Sequence, residues 1–179
     1  MKKLSNILLF TLLISVAMSA QKTKEAVLKK LDSQTEKYGS IAMQIWDLAE
    51  MGYLEEQSSS LLQETLSKEG FTIKKSVADI PTAFVAEYGS GLPIIAILGE
   101  FDALPGLSQQ AIPEKKSANG DAGHACGHHL FGTASAAAAI SVKQWMKNTK
   151  QKGTIRFYGC PAEEGGGAKV YMAREGLFD

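Results

Sequence analysis

Pro93-Ile94-Ile95-Ala96-Ile97-Leu98 is apolar on both faces. A strand covered on one side alternates apolar and polar residues, so an unbroken apolar run of this length reads as the central strand of a sheet covered from both sides. Beyond it, a Pro/Gly/Ser-containing loop from Leu104 to Gly123 leads into a long alanine-rich segment, about Leu130 to Lys147, which reads as a helix. Thr154 to Tyr158 reads as the next strand. Strand, helix and strand in that order make a βαβ unit with an expected right-handed crossover. In open α/β sheets, ligands gather beyond the carboxyl ends of the strands. The polar motifs of this chain fall at those ends.

On the N-terminal side, Val27, Leu31, Tyr38, Ile41, Ile45 and Leu48 recur at three, four and seven residue steps. That spacing predicts helix from Thr23 to about Met51, with a break expected at Gly39-Ser40. A second helix, roughly Glu56 to Lys68, carries Leu62 and Leu66 on one side and stops at Gly70, the residue type that enters the left-handed C′ position most cheaply. Phe71, Ile73 and Val77 then alternate with polar residues, as do Thr82 to Tyr88, and Gly89-Ser90-Gly91 has the turn chemistry of a hairpin.

The chain has 179 residues, 45% hydrophobic and 21% charged, which excludes a disordered tail, a collagen-like repeat and a multispan membrane protein. Nineteen basic and nineteen acidic residues cancel, so no overall field draws it to nucleic acid, and a small molecule is the expected partner. Lys2 and Lys3 precede an uncharged run from Leu4 to Val16 that ends in Ala17, Ser19 and Ala20. This is a signal-peptide pattern, so residues 1–20 are expected to be a leader, with residues 21–179 exported to the periplasm or secreted. The membrane then matters only for export. Two cysteines, Cys126 and Cys160, are too few for a disulfide framework.

Three polar clusters carry the chemistry: Gly99-Glu100-Phe101-Asp102, Gly123-His124-Ala125-Cys126-Gly127-His128-His129 and Pro161-Ala162-Glu163-Glu164-Gly165. All three histidines lie within six residues, beside one of the two cysteines. Thiolate, imidazole and carboxylate together suit zinc, cobalt or manganese. In the paired acids one carboxylate can bind metal while its neighbour takes a proton from water, which is the logic of hydrolysis.

The strings GEFDALPG, GHACGHHLFG and GCPAEEGGGAKVYMAREGLF, in that order, resemble the amidohydrolase branch of the M20 metallopeptidase family, and within it the aminobenzoyl-glutamate utilization type. The resemblance implies an α/β fold, a mixed sheet flanked by helices. It also implies a hydrolase with two divalent metal ions (zinc, manganese or cobalt) that cleaves the amide of an N-acyl amino acid or dipeptide. Carried over by position, Cys126, His128 and Glu164 are the implied metal ligands, Glu163 the general base and Asp102 a carboxylate that orients a ligand. Glu100 stands where the wider family has histidine, so no ligand role is carried onto it. His129 replaces a common aspartate, a change that bears on the pocket.

The resemblance also implies two more histidine ligands further along, in a chain about twice this length or more, and a smaller lid and dimerisation domain. Neither occurs here. The expectation is therefore the N-terminal part of a catalytic domain, inactive alone, whose longer form is a homodimer. The competing reading is a noncatalytic metal-binding or interaction protein derived from such a hydrolase. Taken singly, His124 reads as a hydrogen-bonded core residue, and a disulfide between Cys126 and Cys160 is the alternative to a metal-held Cys126.

Overall fold

The computed structural model of the protein describes residues 24–179. The leader expected over residues 1–20 lies outside the described residues. The chain divides into two units, Met1–Thr35 and Glu36–Asp179. The described part of the first is a helix over residues 24–32 (α1) and a turn at Ser33-Gln34.

In chain order there follow α2 (Thr35–Leu48), α3 (Glu56–Lys68), β1 (Thr72–Lys75), a 3-10 turn (Val77–Asp79), β2 (Phe84–Ser90), β3 (Ile94–Gly99), β4 (Leu104–Pro105), β5 (Ala122–Gly123), α4 (His128–Thr149), β6 (Gly153–Gly159) and α5 (Ala168–Arg174). The helical stretch expected from Thr23 breaks at Ser33-Gln34, not at Gly39-Ser40. There the hydroxyls of Ser33 and Thr35 donate to Lys30 O and Asp32 O (2.7 Å each), offering the carbonyls a partner other than the next helical turn. Gly39 stays helical because Tyr38, Ile41, Ala42 and Ile45 form a buried stripe around it. α3 ends as expected: Gly70 takes φ +89°, and Phe71 N–H donates back to Leu66 O at 3.1 Å.

The main sheet has the order β1-β2-β6-β3. β2 runs antiparallel to β6, and β3 parallel to it. Two expectations are corrected here. Gly89-Ser90-Gly91 does not close a hairpin between neighbours, because β6 inserts between β2 and β3. The central strand is β6, buried along almost its whole length, whereas β3 forms the sheet's edge among the described residues, with Ile94 and Ile95 42% and 50% exposed. An apolar run reports the absence of polar partners, and it cannot say which of two parallel strands holds neighbours on both edges. The loop 104–123 is closed at its base by the two-residue ladder of β4 and β5.

One face of the sheet packs under α4, whose buried Gly132, Ala136, Ala137, Ala139 and Ile140 let the helix approach closely. A Cβ on Gly132 would lie 2.4 Å from Glu100 O, so only glycine permits that crossing. Phe84, Phe101 and Phe157, none with exposed surface, form the aromatic centre of the core, with ring centroids 5.6 and 6.3 Å apart. On the other face Val85, Tyr158 and Cys160 pack with Val77, Ile80 and Met172 of α5.

Candidate metal centre

The parallel pairing of β3 and β6 sets Gly99 opposite Gly159, so both strands release their chains at the same edge. Glu100-Phe101-Asp102 leaves the end of β3, and Cys160 to Glu164 leaves the end of β6. Cys160 N–H still donates to Gly99 O at 2.8 Å. Gly127 enters the left-handed region (φ 91°) to start α4, which puts His128 at the helix's first position and Cys126 just outside it. Three segments separated by tens of residues thus converge beyond the carboxyl ends of two adjacent strands.

His128 is buried, and its Nδ1 donates to Asp102 Oδ1 at 2.8 Å. That bond fixes the ring and leaves Nε2 facing Glu100 Oε2 at 3.0 Å and Glu163 Oε2 at 3.7 Å. Asp102 is 1% exposed, and its second oxygen accepts the Glu164 N–H at 2.9 Å, so one carboxylate aligns the imidazole and the acidic pair together. Donor atoms of Cys126, His128 and Glu164 all lie within 4.8 Å of one another, as do those of Glu100, His128 and Glu163. Glu164 Oε1 is buried and has no hydrogen-bond partner. Burial of an unpaired carboxylate oxygen is costly, and a cation is the partner that chemistry would supply. The donor set of sulfur, imidazole nitrogen and carboxylate oxygen fits a divalent transition metal.

The electrostatics agree. The hydrogen bond to Asp102 raises the pKa of His128 above its ordinary value, against the opposing effect of burial. Burial pushes Asp102 upward, but the hydrogen bonds from His128 and the Glu164 amide outweigh it and hold the carboxyl below the usual carboxylate value. Cys126 is exposed, and its hydrogen bond to Glu164, then burial and the nearby carboxylates, raises its thiol. Without a cation this thiol keeps its proton. Ligand thiols lose it on metal binding.

The turn that carries the acids is strained and pinned. Ala162 sits at φ 51°, a conformation costing a non-glycine residue on the order of 1 kcal/mol. Its N–H donates to Glu55 Oε1 at 2.7 Å, its carbonyl accepts from Gly167 N–H at 2.7 Å, and Tyr53 OH donates to Gly166 O at 2.6 Å. Glu55 has no exposed surface. Its other oxygen accepts the Thr82 hydroxyl at 3.0 Å, and burial raises its pKa despite these bonds.

Every residue singled out from the sequence, Asp102, Cys126, His128, Glu163 and Glu164, is brought into this cluster. His124 is the core residue expected, its Nε2 donating to Ile45 O at 3.0 Å. His129 belongs to neither donor group, packs against the Trp46 ring with centroids 4.9 Å apart, and is pushed down to about 4 by burial. Cys126 and Cys160 are both free. Glu100, given no ligand role from the sequence because the wider family has histidine there, joins the cluster and forms an ion pair with Lys169 of α5. Its signal was available: Glu100 and Asp102 stand two apart in extended chain, hence on one side. Glu55 carried no local signal, because its partners lie 27 and 107 residues away.

Residues 96–179 match the model of Peptidase family M20/M25/M40. Over 151 residues the chain is 50% identical to a subunit of the p-aminobenzoyl-glutamate hydrolase of Escherichia coli (strain K12), covering 83% of this chain and 31% of that protein. Among solved structures, a putative aminohydrolase from methicillin-resistant Staphylococcus aureus superposes with a TM-score of 0.73 at 24% identity, covering 87% of this chain and 39% of that one. A dinuclear metal-binding M20 peptidase from Bacillus subtilis gives 0.70 at 24% identity, with 83% and 41% covered. These likenesses show a shared fold, the mixed sheet flanked by helices. The chain spans about a third of the length of the curated relatives it matches.

Proposed function

Because the chain belongs to peptidase family M20/M25/M40, we propose that it carries metal-holding and proton-transferring groups of a hydrolase cleaving the amide bond of an N-acyl amino acid or dipeptide. An aminobenzoyl-glutamate-like substrate is the first candidate, from the likeness to the Escherichia coli hydrolase. The reading rests on one observation: the buried, unpartnered oxygen of Glu164 belongs to a carboxylate grouped with an imidazole nitrogen and a thiol, with donor atoms within 4.8 Å of one another.

Cys126, His128 and Glu164 would hold a divalent ion, and Glu100 and Glu163 border a second position with His128. A metal at this position supplies Lewis acidity, polarising a carbonyl oxygen and acidifying water. The chain's own residues do the rest. Asp102 keeps the Nδ1 proton of His128 in place, so Nε2 offers a lone pair. Glu163, the more exposed acid of the pair, takes a proton from the attacking water and returns it to the departing amine nitrogen. Glu100, paired with Lys169, contributes less negative charge to the pocket than a free carboxylate. We further propose, from the leader pattern, that the protein works outside the cytoplasm.

Cobalt titration tests the assignment. Co²⁺ should produce a thiolate-to-cobalt absorption band that Cys126→Ala removes and that His128→Ala weakens at least tenfold. Glu163→Gln should bind cobalt like wild type, yet lower amide hydrolysis by about 10²-fold or more where turnover is measured. A chain that binds no cobalt, or whose band survives Cys126→Ala, refutes the metal centre.

A further inference from the structure

We propose that Glu55 is a positioning residue for the Glu163-Glu164 pair, a buried carboxylate that fixes the turn from behind by holding the Ala162 N–H and the Thr82 hydroxyl at once. The inference rests on the roles given above to Glu163 and Glu164. Glu55 stands at the N-terminus of α3, where its own carbonyl accepts the Ser59 N–H. It therefore ties three elements together: the start of α3, the chain entering β2 at Thr82, and the turn after β6. Only donors meet at this point. A carboxylate, with two acceptor oxygens and no proton to give, is the side chain that satisfies such a junction.

The geometry gives this tie a consequence at the metal centre. Ala162 is one residue before Glu163, and its left-handed backbone sets the direction in which the next two side chains leave the turn. Asp102 holds the far side of the turn through the Glu164 N–H. Glu55 and Asp102 thus grip the amides of residues 162 and 164 from opposite ends, with the general base between them. If the Glu55 grip is lost, Ala162 is free to relax to negative φ, and Glu163 and Glu164 swing together.

Two substitutions separate reach from charge. Glu55→Asp keeps the charge but withdraws the carboxylate by one methylene. Glu55→Gln keeps the reach and one acceptor but loses the charge. Cobalt affinity, read from the thiolate band, and amide hydrogen exchange at residues 162 and 164 are measured on the whole chain. Leu66→Ala, a fully buried change in the same helix, is the control for general destabilisation. Positioning requires the order wild type, Gln, Asp, with Glu55→Asp binding cobalt at least tenfold more weakly and exchanging both amides at least tenfold faster. Leu66→Ala should lower the melting temperature yet leave cobalt affinity within twofold. The proposal is overturned if Glu55→Asp only lowers the melting temperature, or if Asp binds better than Gln, which would assign Glu55 an electrostatic role. Should Glu55→Asp not fold, Glu55→Gln is judged alone by the same two readouts, and wild-type values in both overturn the proposal. Failure of the wild type itself to bind cobalt would remove the metal reading, and amide exchange would still decide the role of Glu55.

Discussion

Replacing glycine by alanine in a helix interior ordinarily stabilises by up to about 1 kcal/mol, because alanine has less backbone freedom to lose. Two glycines of this fold should respond with opposite signs. Around Gly39 in α2 nothing lies within 4 Å of an added Cβ, so Gly39→Ala should gain most of that increment. At Gly132 in α4 the same methyl would sit 2.4 Å from Glu100 O and 3.4 Å from a Leu62 methyl. Ordinary contact begins near 3.4 Å, so the helix must retreat from β3 by roughly 1 Å, and overpacking of this kind costs about 1–3 kcal/mol. The close backbone contact puts the steric cost toward the upper end of that range, above the propensity gain, leaving a net loss of up to about 2 kcal/mol. Urea unfolding reads both variants: the midpoint should rise for Gly39→Ala and fall for Gly132→Ala, with unchanged slope. A Gly132→Ala protein as stable as wild type would refute the claim that glycine sets the helix–sheet spacing.

Burial holds His129 at about 4, below the ordinary 6.5, so stability is complete above pH 6.5 and is lost as pH falls toward 4. At about 1.36 kcal/mol per unit the loss is about 3 kcal/mol, and His129→Gln should flatten the pH dependence of the urea midpoint in that window. Glu69 takes Lys37 at 2.9 Å and the largely buried Lys143 at 3.2 Å. Burial acts to raise its pKa, but these partners lower it, so its contribution is present above the normal carboxylate value and disappears as pH drops through the depressed one. Glu69→Gln should lower the neutral-pH melting temperature and shrink the acid-induced fall. Cys160 is buried with its thiol pushed up to about 12, whereas Cys126 is exposed. Brief alkylation at neutral pH should therefore add one label to the native chain and two to the unfolded chain, by mass. Two labels on the native protein would contradict the burial of Cys160.

Local patterns carried much of this fold. The 3.6-residue stripes of α2 and α3, the Gly70 stop and the alanine run of α4 are written in short windows where side-chain spacing and backbone propensity act directly. The metal-centre candidates were legible because Cys126, His128 and the paired acids are chemically unusual neighbours. Strand order was not legible. The insertion of β6 between β2 and β3 depends on contacts about sixty to seventy-five residues apart, and the exposure of Ile94 and Ile95 depends on which strand has two neighbours. Glu55 was missed for a related reason: it is an ordinary acidic residue in its own window, and only folding brings Thr82 and Ala162 near. Glu100 was named but given no ligand role, because the resemblance offered histidine at that position.

The sheet order also dictates when the molecule can assemble. Within the sheet β2 and β3 are not neighbours, and among the described residues the strand that pairs with β3 is β6, made much later; Ile94 finds Thr154 sixty positions on. Until residue 159 has left the ribosome, the nascent chain can zip β1 to β2 and bring α4 against β3, but β3 still lacks its strand partner, and long-range parallel pairing is intrinsically slow. Synthesis therefore imposes a waiting period during which β3 is open to chaperones or to stray association, and a translational pause before β6 would lengthen it.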